Sequence, residues 1–376
     1  MTILNEIAAV REHVGIWARS DHTVLQFTGP DAGAWLHSQT TNDIAGLTSE
    51  AGSLNALLDR HGRVLAFFSV HRWESEYWVL IEKSQVPAVQ ARIETHLIME
   101  DAAMNDVGAD TPQLMLEGPY APVVLSKCLE DGPKHLPETP YAFAPLVVLG
   151  HQVLAFRLTE SGEDGFCLVP APGESEALLS KLLDHGLTDG VAQVSEPARA
   201  ALRAEACNAP FGVNIDAGAL VSETPLEQIA VSYDKGCYLG QEVVARIKAY
   251  GTPKRALAAI LVEDDGTPLP EERTPLHVDG KKAGELRSSA FSPTLGAWIV
   301  TAYLDRTHRT AGETWTFTVE DGTAITGRVA HFPLVEPPSR ESRARTRYDL
   351  ALERFEADPD DTDASAIILL EEALVL

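Results

Sequence analysis

The sequence predicts an α+β protein that ends in a small antiparallel β-barrel. Three observations carry this expectation. A strand–strand–helix succession fills residues 23–98, a second α+β stretch follows over 111–195, and period-2 apolar segments take over beyond Gly251-Thr252-Pro253. A length of 376 residues points to two or three domains rather than one.

In order, residues 1–18 read as a short helix and Thr23–Phe27 as a strand. Thr28-Gly29-Pro30-Asp31 turns the chain into a helix, with proline near the first position, where its missing N–H costs nothing. Asn55–Leu58, the turn Asp59-Arg60-His61-Gly62 and Val64–Arg72 form an expected hairpin, and Tyr77–Ile81 a further strand. Val86, Val89, Ile93 and Leu97 recur on one face of a helix over 84–98. Strands are expected at 113–116, 146–158 and 165–169, helices at 174–185 and 198–206, and a Pro-rich connector at 133–145. Thr224-Pro225-Leu226-Glu227 has the form of a capping box with proline at the first helical position. Segments 256–262, 296–303, 314–319 and 323–332 alternate as barrel strands do, and the tail from Glu336 is expected to be two short helices packed on the body or a mobile extension.

Lys+Arg 30 against Asp+Glu 55 leave a net charge of −25, so most of the surface repels nucleic acid and anionic membrane. No apolar run reaches spanning length, and the start lacks a signal or transit pattern, so a cytoplasmic location is expected. The four cysteines, at 128, 167, 207 and 237, are far apart with no Cys-x-x-Cys pair, which speaks against a structural zinc site and a disulfide framework. No metal site is expected. His61, His71, His135 and His331 read as turn, surface or satisfied core residues.

Chemistry concentrates in Lys235-Gly236-Cys237-Tyr238-Leu239-Gly240-Gln241-Glu242, where two glycines space a cation, a thiol, a phenol, a carboxamide and a carboxylate. Glycine allows positive φ and close approach, so this is a shaped turn, with a helix starting near Gly240. A thiol beside a lysine and a helix N-terminus is a candidate for a lowered pKa, although free cysteine also packs as a small hydrophobe. Lys235, Arg246, Lys248, Lys254 and Arg255 form a basic island, facing an anionic ligand or balancing acidic surface.

The signature Lys-Gly-Cys-Tyr-x-Gly-Gln-Glu resembles that of the YgfZ family, folate-binding relatives of the glycine-cleavage aminomethyltransferase (T-protein). Thr28–Ala32, Trp35-Leu36, Thr41-Asn42-Asp43-Ile44, Asp59–Val64, Leu202–Ala206, Phe211-Gly212 and Gly251–Arg255 extend the likeness over roughly 20–335. The resemblance implies a three-part cloverleaf: a central folate-binding unit from 1–110 and 198–250, a ferredoxin-like unit over 111–197, the barrel over 251–335, and a tail over 336–376. It also implies a channel for tetrahydrofolate, with Cys237 and Lys235 as reactive residues. Glu205, Tyr238, Gly240, Gln241, Glu242, Arg246, Asn42 and Asp43 are then the cofactor-binding set. A buried Glu205 suits the N–H edge of a pterin, because charge-assisted pairs are the strong ones.

Two departures stand out. The region after the third strand, Leu80–Gln85, offers Glu82 where the aminomethyltransferase has an Asp, and Glu205-Ala206-Cys207 replaces Glu-Ala-Gly. The expected function is tetrahydrofolate binding in support of iron–sulfur client enzymes or assembly proteins, affecting tRNA modification only through a client. A lone thiol holds a cluster only transiently, since clusters take four thiolates. A folate-dependent one-carbon transferase or demethylase, and a non-catalytic scaffold, are the alternatives.

Overall fold

The computed structural model describes residues 2–130, 136–186, 190–266, 268–338 and 342–343. His135 and the expected helices of the tail beyond 343 lie outside the described residues.

Helix α1 (Ile3–Glu12) is capped by the Thr2 hydroxyl, which accepts from Asn5 N at 3.3 Å. The helix expected over 1–18 stops there, and Val14–Arg19 is a strand, β1. Its apolar run is buried on both faces and so lacks the alternation that separates strand from helix in a sequence.

Strands β2 (His22–Thr28), β3 (Gly52–Leu58), β4 (Val64–Trp73), β5 (Glu76–Glu82) and β6 (Ala103–Asp106) form an antiparallel sheet in the order β3-β4-β5-β2-β6. Helices α2 (Ala32–Gln39) and α3 (Val86–His96) belong to this lobe. Trp35, Leu36, Val86 and Val89 pack on Leu25, Phe27, Phe68 and Val79 of its sheet.

The second lobe contains β7 (Gln113–Glu117), α4 (Ala121–Lys127), β8 (Phe143–Val148), β9 (His151–Phe156), β10 (Gly165–Pro170), α5 (Ser175–Gly186) and β11 (Val191–Gln193). Its sheet runs β11-β1-β7-β10-β9-β8, so β1 sits among strands more than ninety residues later in the chain. The single strand expected over 146–158 is a hairpin, turned at Leu149 and Gly150, both at positive φ.

Helices α6 (Glu196–Ala206), α7 (Glu227–Ala230) and α8 (Gln241–Tyr250) lead into the third lobe. Strands β12 (Arg255–Glu263), β13 (Pro275–Val278), β14 (Lys281–Ser292), β15 (Ala297–Asp305), β16 (Thr314–Thr318) and β17 (Ala324–Ala330) close into an antiparallel barrel, β17 pairing back onto β12. Strands β13 and β14 escaped the sequence reading because polar residues interrupt their alternation. The expected capping box at Thr224 does not form: the Thr224 hydroxyl donates back to Val221 O at 2.8 Å, and α7 starts at Glu227. Among the described residues no helix is long and apolar enough to cross a membrane.

The lobes share their cores. Ile7, Trp17, Met115 and Phe156 meet Leu80 and Val24 of the first sheet, and Leu257 and Tyr303 of the barrel join a cluster with Leu58, Val64 and Tyr238. Arg287 on β14, only 1 % exposed, clamps the loop before α7 to the barrel. It donates to Val213 O at 2.8 Å and pairs with Asp216 at 2.6 Å and Glu285 at 3.1 Å. Arg287→Ala should lower stability in urea unfolding by roughly 3 kcal/mol, the usual consequence of removing one partner from a buried pair. A loss below about 1 kcal/mol, as for a surface pair, contradicts the clamp.

Candidate ligand cavity and thiol loop

A cavity of about 610 Å³ opens where α6, the first sheet and the loop after β9 converge. Apolar side chains (Phe67, Leu80, Met115, Leu158, Phe211 and Leu226) share its walls with polar and charged ones, including Arg19, Asp21, His22, Glu82, Gln85, Glu160, Glu196, Arg199 and Arg203. Such a mixture, apolar walls with placed polar groups, is that of a small-molecule site.

Helix α6 explains the polar wall. Glu196, Arg199, Arg203, Ala206 and Cys207 line the cavity at the spacing of one helix face. Glu160, 7 % exposed, gathers the arginines: Arg19 at 3.0 Å, Arg199 at 3.3 Å and Arg203 at 3.5 Å. Burial works against its charge, but the three guanidiniums prevail and hold the Glu160 pKa below the ordinary carboxylate range. Glu196 takes the remaining arms of Arg199, at 2.8 Å, and of Arg203.

Glu205 does not face the cavity, a correction to the sequence reading. Two residues along a helix turn a side chain by about 200°, so Glu205 lies opposite Arg203. It is fully buried, accepting from Arg11 at 2.6 Å and from the Ser292 hydroxyl at 2.5 Å, while Arg11 also pairs with Glu163 at 3.0 Å. Its role is to join α1, α6 and the barrel.

Lys235, Tyr238, Gly240, Asn42 and Asp43 come together, but outside the cavity lining. The Lys235 ammonium donates to the carbonyls of His37 (2.5 Å), Thr40 (2.7 Å) and Asn42 (2.7 Å), satisfying groups left open at the end of α2. Its three donors are thereby used, and none remains for Cys237. Burial pulls Lys235 down to about 8. Tyr238 is 7 % exposed and packs in the core between the first sheet and the barrel. Asn42 donates to Leu54 O and Ile229 O, each at 2.9 Å, and Asp43 accepts from Gly46 N at 3.0 Å and lies 3.4 Å from the His37 ring. Gln241 is half-buried, and Glu242 and Arg246 are exposed on α8.

Gly240 caps α8 at φ 87°, and a Cβ there would stand 2.5 Å from the Asp59 carbonyl oxygen. The thiol loop thus seats glycine against the hairpin turn. Cys237 alone of the four thiols is exposed; Cys128 and Cys167 are buried, and burial pushes the Cys207 thiol up. Cys207 sits at φ 61°, the left-handed conformation that suits the glycine it replaces.

The basic island does not meet the cavity either. Arg255 pairs with Glu223 at 3.3 Å and lies over Tyr303, and Lys248 lies over Tyr233. The cations that do line it, Arg19, Arg199 and Arg203, were missed, though Glu196-x-x-Arg199-x-x-x-Arg203 carries the helical spacing that marks one face. Glu82 does line the cavity, holding the Ser84 hydroxyl at 2.5 Å. His71 is a satisfied core residue, between Tyr141 O and the Ser69 hydroxyl at 2.8 Å each, and burial lowers it to about 3. Among the described residues no His, Cys, Asp and Glu cluster could hold a metal ion.

Three lobes, the third a closed barrel, with a polar-walled cavity between the first two lobes and α6, define a class of multi-lobed protein. The GCVT N-terminal domain model matches residues 1–235, and the glycine cleavage T-protein C-terminal barrel domain model matches 255–336. The chain belongs to this T-protein family; residues 236–254, with most of the thiol loop, fall between the two matches. The aminomethyltransferase of Symbiobacterium thermophilum is 29% identical over 349 residues, spanning 90% of this chain and 91% of that one. The aminomethyltransferase of Streptomyces avermitilis is 27% identical, over 82% of each. The solved glycine cleavage system aminomethyltransferase T from Bartonella henselae has the same fold, with TM-score 0.76 at 22% identity over 89% of this chain and 90% of that one.

Two outcomes are expected. Alkylation of the native protein at neutral pH should modify Cys237 only, as read by peptide mass spectrometry, with all four thiols reacting in urea; fast labelling of Cys207 contradicts the assignment. Gly240→Ala should cost about 2 kcal/mol or more through strain at positive φ and the clash with Asp59. Unchanged thermal stability means the loop is not held in this conformation.

Proposed function

We propose that the chain binds a reduced folate, tetrahydrofolate, in the central cavity and, as a YgfZ-type member of its family, supports iron–sulfur enzymes in the cytoplasm. The observation that carries the reading is Glu160. It is a buried, ionised carboxylate on the cavity's polar wall, facing the apolar side chains opposite, suited to accept the N–H groups along one edge of a pterin in the role first expected of Glu205. Phe67, Phe211 and Leu226 supply flat apolar surface for a ring system, and Arg19, Arg199 and Arg203 hold the carboxylate in place. A bound reduced folate contributes the nitrogens that carry one-carbon units. The protein's residues orient it and keep water from its ring.

Cys237 supports the finer part of the reading. Exposed on a loop that Lys235 and Gly240 hold rigid, its sulfur is offered outward to a protein partner rather than inward to a cavity ligand. The partners are iron–sulfur client enzymes or assembly proteins, with the thiol as one transient cluster ligand and tRNA modification affected through a client. Aminomethyl transfer is the second reading. It is favoured by Glu82 in the cavity wall and by relatives named aminomethyltransferase.

Titration calorimetry of the full chain with tetrahydrofolate tests the first step. Saturable binding is expected, weakened roughly tenfold or more in Glu160→Gln, in line with the loss of hydrogen bonds to a charged group. Absence of heat leaves only a scaffold. Cys237→Ala should retain folate affinity while client iron–sulfur activity falls. Turnover of an aminomethyl donor that Glu82→Gln abolishes would instead establish the transferase.

A further inference from the structure

Glu117, the last residue of β7, is fully buried, yet it belongs to no ion pair described above. Its carboxylate accepts four hydrogen bonds, all from the loop after β9. They come from Glu160 N at 2.6 Å, Ser161 N at 2.9 Å, the Ser161 hydroxyl at 2.5 Å and the Thr159 hydroxyl at 3.0 Å. Its register partners are both glycine, Gly15 on β1 and Gly165 on β10, and Gly165 makes room for it. A Cβ at Gly165 would lie 2.9 Å from Glu117 Cγ. Burial, and then the neighbouring Glu160, push Glu117 up to about 7, so a carboxylate here is unfavourable in itself.

We infer that Glu117 is the positioning residue of the ligand cavity: it anchors the Thr159–Ser161 loop so that Glu160 points at the ligand and at Arg19, Arg199 and Arg203. One oxygen holds the backbone N–H of residue 160, and the other holds the flanking donors of 159 and 161. A carboxylate can accept from both sides; an amide cannot. Glutamine at this position sets an NH₂ group against either the 160 N–H or the Ser161 pair, and the loop must shift. Misplacing Glu160 also separates it from three guanidiniums held at 3.0–3.5 Å. The inference rests on the folate reading for its ligand.

Calorimetry with tetrahydrofolate on full-length wild type, Glu117→Gln, Glu160→Gln and the double variant tests it, with melting temperatures recorded in parallel. Glu117→Gln should raise Kd roughly tenfold, and in the Glu160→Gln background it should add less than about twofold, the non-additivity of residues acting through one another. Its effect on melting temperature should persist in both backgrounds, so a merely structural role is separable. If Glu117→Gln does not fold, Ser161→Ala, which removes one donor of the anchor, serves in its place with a smaller rise of roughly threefold. Affinity unchanged by these variants, or lost equally with and without Glu160, overturns the inference while leaving the folate reading standing. Wild type that fails to bind tetrahydrofolate removes the folate reading and the ligand role of Glu117 together.

Discussion

The need to compensate buried charge governs how this protein encloses a cavity. Helix α6 carries charge on two opposite faces, and each face is compensated by residues of other elements. Toward the cavity, Arg199 and Arg203 meet Glu160 of the second lobe; toward the interior, Glu205 meets Arg11 of α1 and the Ser292 hydroxyl of the barrel. An unpaired charge in either place carries a desolvation cost of several kcal/mol, so the pairs are satisfied only when the lobes close on the helix. The same logic extends to Arg287, whose partners lie on its own strand and on the loop leading toward α7.

The thiol loop is held by a different kind of constraint, backbone geometry. Lys235 binds three carbonyls at the end of α2, Tyr238 fills the core between the first sheet and the barrel, and Gly240 admits the Asp59 carbonyl where no side chain fits. Five of its eight residues, Lys235, Tyr238, Gly240, Gln241 and Glu242, thus read as architecture or helix start. What stays available is the sulfur of Cys237, on the outside. Cavity and thiol are consequently two separate surfaces of the protein.

Charge distribution follows the same division. A net charge of −25 spreads over the surface, whereas three of the cations lining the cavity are arginines drawn to one carboxylate. Arginine suits that place because its planar fork serves two acceptors at once: Arg199 and Arg203 each reach both Glu160 and Glu196. A more apolar cleft of about 650 Å³, lined by Trp78, Leu146, Val153 and Val169, has no charged side chain and so no means of orienting a polar ligand.

Much of the architecture was legible in the residues alone. Strand-forming runs and turn chemistry located β2 to β5, helical periodicity α3, and alternating segments most of the barrel, because their bounding turns carry Gly, Pro and Asp. Strand β1 was not legible, since a run buried on both sides has no period, and neither was its pairing with strands from the far side of the chain. The thiol loop announced itself through rare residues at close spacing, which is local information. Whether Glu205 or Glu160 faces the ligand is not local: both are carboxylates beside arginines, and only the packing of α6 between two lobes decides which side of the helix meets the cavity.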